Sequence, residues 1–143
     1  MRRIPKYNSE HDLYEQIARY LQLQYPNVIY RFDIAADLKL TPGQATKHKR
    51  LHPERGYPDL FIAESSMNIW HSPVREWEIH LGLYLEIKTE SNSPYKKDGT
   101  LKKDKHLEEQ AEMLEKLRAR GYKAEFGVGF EGCKKIIDEY LRN

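Results

Sequence analysis

Apolar positions along the chain change period several times, and each change marks an element. Leu13, Ile17, Tyr20, Leu21 and Tyr25 recur at helical spacing. Ser9 precedes them as an N-cap with Asp12 three residues on, close to a capping box. Pro26 cannot continue a helix, so the pattern predicts one over residues 10–24. Val28, Tyr30, Phe32 and Ile34 then alternate with Ile29, Arg31 and Asp33, the period of a strand. Thr41-Pro42 is an N-cap followed by proline at the first helical position, and predicts a short basic helix to about His52, closed by Pro53 and Gly56. Tyr57 to Ala63 reads as a short strand. Residues 64–80, with Trp70, Pro73 and Trp77, form a connection that extends both flanking strands. The clearest strand runs from Leu81 to Thr89, with Leu81, Leu83, Leu85 and Ile87 on one face and Tyr84, Glu86 and Lys88 on the other. Residues 90–103 are rich in Ser, Lys, Asn, Pro and Gly and predict a loop. Leu107, Ala111, Leu114 and Leu117 predict a helix over 105–120 with Gly121 as its C′ residue. Ala124, Phe126, Val128 and Phe130 give a last strand, and residues 131–142 a final helix with Cys133, Ile136, Ile137, Tyr140 and Leu141 apolar. The order is that of a mixed α/β domain.

A length of 143 residues suits a single domain, residues 1–143. Hydrophobic residues at 39% can build a core, while 32% charged residues leave a very polar surface. A net charge of +2 by itself argues for no particular partner. No apolar run approaches the ~18 residues of a membrane span, and the opening MRRIPKYNSE has no apolar h-region, so neither a membrane helix nor a secretory signal is expected. Cys133 is the only cysteine, which excludes an intramolecular disulfide and a cysteine zinc site and fits a reducing, cytoplasmic compartment.

The candidate chemistry lies on the clearest strand. Glu86 and Lys88, two apart, share a face opposite a clean apolar row, which is costly unless the charges are paired or solvated. Asp59 follows Pro58 at the start of the preceding strand, and meets Glu86 across the sheet if the two strands pair. Two converging carboxylates repel, and a hard divalent cation such as Mg²⁺ or Mn²⁺ relieves the repulsion. Such an ion polarises a phosphoryl oxygen and acidifies a bound water. Lys88 then orients that water or stabilises charge in the transition state. Taken alone, a Glu–Lys pair on a strand is more often a solvated surface pair, and Pro-Asp is a common turn dipeptide.

The combination, in this order and on these elements, resembles the PD-(D/E)XK nuclease superfamily. Locally it is most similar to the VRR-NUC (virus-type replication-repair nuclease) family. Gly56-Tyr57-Pro58-Asp59-Leu60-Phe61-Ile62 looks like that family's GxPDL strand, and Leu83-Tyr84-Leu85-Glu86-Ile87-Lys88-Thr89 like its second metal strand. Gln110 in the following helix and Gly121 before the last strand stand at the matching places, so the resemblance covers about Glu10 to Phe130. It implies a restriction-endonuclease-like αβββαβ core, a mixed central sheet flanked by helices, with the basic helix inserted and the last helix appended. It also implies a Mg²⁺- or Mn²⁺-dependent deoxyribonuclease in which Asp59, Glu86, the Ile87 carbonyl and an acid on the first helix hold metal. Glu10 is on that helix's buried stripe, although acids in a first turn also simply complement the helix dipole. Asp12 and Glu15 point elsewhere, and Asp33 is either a minor site acid or a surface group. Gln110 lies on an inward stripe, where an amide bonds the site, a water or the DNA, unless it is a satisfied core amide. Stand-alone relatives of this kind are homodimers acting on branched DNA such as Holliday junctions, in viral settings (hence a host cytoplasm) or in DNA repair and recombination. The family's Val-Arg-Arg stretch reads Val128-Gly129-Phe130 here, so its arginines are missing.

Two basic runs flank the motif strands. Lys39, Lys47, Lys49, Arg50 and Arg55 stand against Glu54 before Asp59, a local balance of +4 with His neutral. Lys96, Lys97, Lys102, Lys103 and Lys105 stand against Asp98 and Asp104 after Lys88, a balance of +3. Of these, Lys47, Lys49, Arg50, Arg55, Lys96, Lys97, Lys102 and Lys103 are the expected phosphate contacts; charge runs elsewhere are usually solvated surface. His48 and His52 lack the Glu of an HExxH zinc site and read as part of the basic helix. A non-catalytic DNA-binding module that keeps the nuclease fold is the competing reading, and a nuclease for RNA or DNA ends a third.

Overall fold

The computed structural model describes residues 9–33, 39–68 and 78–142. Its elements follow the order α1 (Glu10–Gln24), β1 (Tyr30–Phe32), α2 (Pro42–Leu51), β2 (Leu60–Ile62), β3 (Ser66–Asn68), β4 (Glu78–His80), β5 (Leu83–Lys88), α3 (Lys105–Arg118), β6 (Lys123–Val128) and α4 (Gly129–Leu141). Four strands form one sheet in the order β1-β2-β5-β6, antiparallel across β1-β2-β5 and parallel between β5 and β6. Flanking helices, the inserted α2 and the appended α4 complete the restriction-endonuclease-like α/β fold that the motif order implied.

Local signals account for the helix ends. Ser9 Oγ accepts from the Asp12 N–H at 3.1 Å and starts α1. Thr41 and Gln44 close a full capping box on α2 behind Pro42. Asp104 accepts from the Leu107 N–H at 3.0 Å and starts α3.

The sheet separates two apolar layers. On one face Leu13, Ile17 and Leu21 of α1 and Cys133, Ile137 and Tyr140 of α4 pack on Leu60, Ile62, Leu83, Leu85 and Ile87. On the other, Met113, Leu114 and Leu117 of α3 cover Tyr84 and Ala124. All six residues of β5 are therefore buried, including the face that carries Glu86 and Lys88. A central strand between β2 and β6, covered on both sides, explains this; the alternation in the sequence separated the faces but not their exposure.

Three local expectations change. Leu81 stands outside the apolar row: it is 57% exposed, precedes β5, and lies beside Gly121 while its N–H donates to the Gly121 carbonyl. The connection after β2 does not lengthen the main strands; β3 and β4 pair with each other as a separate two-stranded sheet. The last strand ends at Val128 and α4 begins at Gly129, so Phe130 is helical. Gly129 has φ +68°, and a side chain there would strike Glu90, which favours glycine at this junction. Ile34, Trp70, Pro73 and Trp77 lie outside the described residues.

Candidate active site

The register of the sheet arranges side chains in rows. Leu60 faces Leu85 and Phe61 faces Tyr84. One step further along the same antiparallel pair, Asp59 falls opposite Glu86, on the face shared by Phe61 and Tyr84. The Asp33 N–H donates to the Asp59 carbonyl at 2.7 Å, which extends the row to the end of β1. The row Asp33–Asp59–Glu86 thus crosses three strands at one end of the sheet, with Lys88 one same-face step beyond Glu86.

This row forms the floor of a cavity of about 260 Å³. Glu10 lines it from the first turn of α1, Gln110 and His106 from α3, His48 from α2 and His52 from that helix's C-cap. Asp59, Glu86, Lys88 and Gln110 are 5%, 4%, 5% and 6% exposed, a concentration of buried polar groups that a merely structural sheet end does not need. Gly56 makes this packing possible. It has φ +72°, and a Cβ there would lie 2.7 Å from the Glu109 carbonyl oxygen and 2.9 Å from Gln110 Cα. The chain leading into Asp59 therefore rests directly on the backbone of α3.

Each buried group is held differently. Asp59 Oδ2 accepts from the Ile87 N–H at 2.7 Å. Gln110 Nε2 donates to Glu86 Oε1 at 2.9 Å and lies 3.2 Å from His106 Nε2. Lys88 Nζ stands 3.9 Å from Glu86 Oε1, an ion pair without hydrogen-bond contact. The Tyr14 hydroxyl lies beside Asp59 without reaching hydrogen-bond geometry. Like the Tyr14 hydroxyl, the buried Glu86 Oε2 and Gln110 Oε1 have no hydrogen-bond partner among the described residues.

Electrostatics explain the cost. Burial raises Glu86 well above the usual carboxylate range, and the adjacent Asp59 raises it further; Lys88 opposes this and Glu10 adds to it. Burial also raises Asp59, against the Tyr14 hydroxyl and the Ile87 N–H, which favour its anion. Without a cation, burial therefore works against ionisation of both carboxyls. A buried carboxyl that resists ionisation, with an oxygen lacking a partner among the described residues, suits a hard divalent cation, for which two carboxylates with water are a common ligand set. Asp59 and Glu86 would hold it. Among the described residues no group of three or more His, Cys, Asp or Glu is gathered closely enough to be a metal site by itself.

The remaining expected residues distribute as follows. Glu10 and Asp33 line the cavity, whereas Asp12 and Glu15 do not. Lys47, Lys49 and Arg50 are exposed on α2, and Lys96, Lys97, Lys102 and Lys103 are exposed in the loop after β5; none of these lines the cavity. Arg55 is exposed and stands 3.8 Å from Glu109. The motifs did not single out His48, His52, His106 and Tyr57 as site residues. The i, i+4 spacing of His48 and His52 was visible, and their rings stack at 4.8 Å on the cavity side of α2.

No protein-family model and no curated protein matches the chain. Among solved structures it is similar to one titled "VRR_NUC domain protein", with a TM-score of 0.58 and 21% identity over 99% of this chain and 92% of that one. The likeness establishes a shared fold across essentially the whole chain, and it is consistent with the family that the Pro58-Asp59 and Glu86-Ile87-Lys88 motifs resemble. Among the described residues no helix is long and apolar enough to cross a membrane.

Proposed function

We propose that the chain is a Mg²⁺- or Mn²⁺-dependent endonuclease that hydrolyses DNA phosphodiesters, with residues 1–143 acting as one nuclease domain. One observation carries the reading: Asp59 and Glu86 converge on one face of the sheet while Glu86 Oε2 has no hydrogen-bond partner among the described residues. When bound, the ion would polarise the phosphoryl oxygen and acidify a water. Asp59 and Glu86 would hold it, with the Ile87 carbonyl and Glu10 as further donors. Gln110 fixes the Glu86 carboxylate by its 2.9 Å hydrogen bond. Lys88, buried at the end of β5, offers positive charge to the attacking water or to the phosphoryl oxygens.

The exposed cations of α2, Arg55 and the Lys96–Lys103 loop supply phosphate contacts along the duplex. Preference for branched DNA such as Holliday junctions, action as a homodimer, and a role in repair or recombination come from the family resemblance. Pairing is also physically sensible, because a domain of this size covers little DNA. The absence of a third close ligand among the described residues is what favours the competing reading, a DNA-binding module that keeps the fold without catalysis.

The test is cleavage of a labelled four-way junction with Mg²⁺ or Mn²⁺, beside linear duplex and hairpin RNA. Cleavage of the junction by the wild type and not by Asp59→Asn is expected. Binding by both proteins without cleavage by either would establish the module instead.

A further inference from the structure

A second row of side chains lies one same-face step from the acidic row. Arg31 on β1 faces Phe61 on β2, and Phe61 faces Tyr84 on β5. Two residues along a strand span about 7 Å, so Arg31–Phe61–Tyr84 runs parallel to Asp33–Asp59–Glu86 at roughly that distance. The second row floors a separate pocket of about 260 Å³, which shares Asp33, His52 and Tyr57 with the acidic cavity.

The pocket's walls have a consistent chemistry. Phe61 and Tyr84 stack at 4.5 Å between ring centroids. The Tyr57 hydroxyl donates to the Tyr84 hydroxyl at 3.2 Å, which fixes the Tyr57 ring at the boundary of the two pockets. Tyr57 is 39% exposed and meets Tyr84 and His52 at steep angles of 84° and 64°, so among the described residues no aromatic ring lies flat on it. Arg31 is exposed and has no ion pair among the described residues. The volume falls below the ~300 Å³ at which drug-sized ligand pockets begin, and suits a single planar ring system.

We infer that this pocket binds one unstacked nucleobase, the base of a nucleotide whose phosphate lies at Asp59 and Glu86. The inference rests on the nuclease reading for the position of that phosphate. The row spacing of about 7 Å matches the step from a nucleotide's phosphate to its base. Tyr57 supplies the stacking face, which tolerates any base because every base has a π-face. Arg31 supplies donors at the rim for a base edge or the next phosphate. In paired duplex the bases are stacked, and filling such a pocket costs unstacking; at a branch point, gap or single-stranded end that cost is already met. The pocket is thus a device for selecting nucleic-acid structure rather than sequence.

An abasic scan tests this. A duplex with a short single-stranded branch is bound in Ca²⁺ in place of Mg²⁺, and each nucleotide near the branch point is replaced in turn by an abasic one. Kd is read by fluorescence anisotropy for the wild type, Tyr57→Leu, Tyr57→Phe and Arg31→Ala, with folding of each checked by thermal melting. At one position base removal should weaken the wild type about tenfold, in the range for stacking of one base on an aromatic ring. Tyr57→Leu should bind the intact DNA about tenfold less tightly and be indifferent to the abasic site, while Tyr57→Phe keeps the sensitivity. Arg31→Ala, at the sheet edge, should lose part of it. A flat profile in the wild type, or equal sensitivity in Tyr57→Leu, overturns the pocket. A flat profile together with metal-dependent junction cleavage removes the pocket and leaves the nuclease. A sharp position without cleavage in any metal removes the nuclease and leaves a base-binding site.

Discussion

Asp59 is held by the strand that carries Glu86: its Oδ2 accepts from the Ile87 N–H at 2.7 Å. The bond fixes the carboxylate beside the one it repels, and that tension has a measurable consequence. Asp59→Asn keeps an oxygen for the Ile87 N–H and removes one of two buried carboxyls, both raised by burial and Glu86 raised further by Asp59. In metal-free buffer at neutral pH the variant should be more stable than the wild type, by about 1 kcal/mol or roughly 4 °C in Tm. Junction cleavage should fall by about three orders of magnitude, since metal chemistry supplies several kcal/mol. Calorimetry and a cleavage assay on the same preparation check both; a variant that is less stable and still active contradicts the arrangement.

Gln110→Leu removes the donor to Glu86 Oε1. The buried oxygen left behind should cost about 1–3 kcal/mol, read as a lower urea midpoint. Loss of the group that orients the carboxylate should weaken Mg²⁺ binding by about tenfold or more, read by calorimetric titration. Gln110→Glu would not rescue, because it adds an acid where carboxyls already repel.

The raised Glu86 and Asp59 carboxyls set a pH dependence. Their folded-state values lie above the unfolded ones, through burial first and mutual repulsion second for Glu86, and burial for Asp59. The folded metal-free protein therefore holds protons that the unfolded chain releases. This pair favours the fold most below the ordinary carboxyl pKa of about 4, and the advantage is lost as pH rises toward the raised values. A divalent cation must displace the proton, so its affinity should increase with pH and its binding should release protons. Titrations in buffers of different ionisation enthalpy measure the release; Glu86→Gln should abolish most of it.

A second acid titrates the other way. On Asp138 of α4, burial is outweighed by donors: the Tyr20 and Tyr25 hydroxyls at 2.5 and 2.6 Å and Lys134 at 3.3 Å, with Arg142 adding its charge, so the carboxyl lies below its usual value. This cluster ties α1 to α4. Its contribution is present above the unfolded pKa of about 3.9 and is lost as pH falls through the lowered value. Asp138→Ala should destabilise by about 2 kcal/mol at neutral pH, as expected for hydrogen bonds to a charged group, and the difference from wild type should shrink in acid.

Gly56→Ala places a methyl 2.7 Å from the Glu109 carbonyl oxygen at a residue with φ +72°. Destabilisation should exceed about 1 kcal/mol from backbone conformation alone. Because the same movement separates Asp59 from α3, metal affinity should fall together with Tm rather than independently of it.

Most of this architecture was legible where a local rule had no competitor. Ser9, Thr41-Pro42 and the stripe on residues 105–117 announced their helices, and the period-two row of β5 announced the central strand. The pairing of Asp59 with Glu86 was legible only conditionally, because strand partners are set by long-range register. Exposure failed at Leu81, and at Glu86–Lys88 it stayed open between paired and solvated: alternation says which residues share a face, while neighbouring strands and α3 decide whether that face meets water. His48 and His52 were visible as residues but not as cavity lining, since only the placement of α2 and its C-cap against the sheet end brings them there. The start of α4 came early because Gly129, at positive φ, turns the chain out of β6 without a loop.

Strand β5 runs between two neighbours with apolar layers above and below it, and this makes its alignment self-checking. A slip of one position would drive a carboxylate and an ammonium into the layer occupied by Leu83, Leu85 and Ile87, and would push those apolar side chains among the acids. A register slip in β5 therefore costs the fold and the site together. Intermediate activities in a set of variants should trace to side chains at the rim, while errors in the strand itself produce only aggregates or unfolded chain.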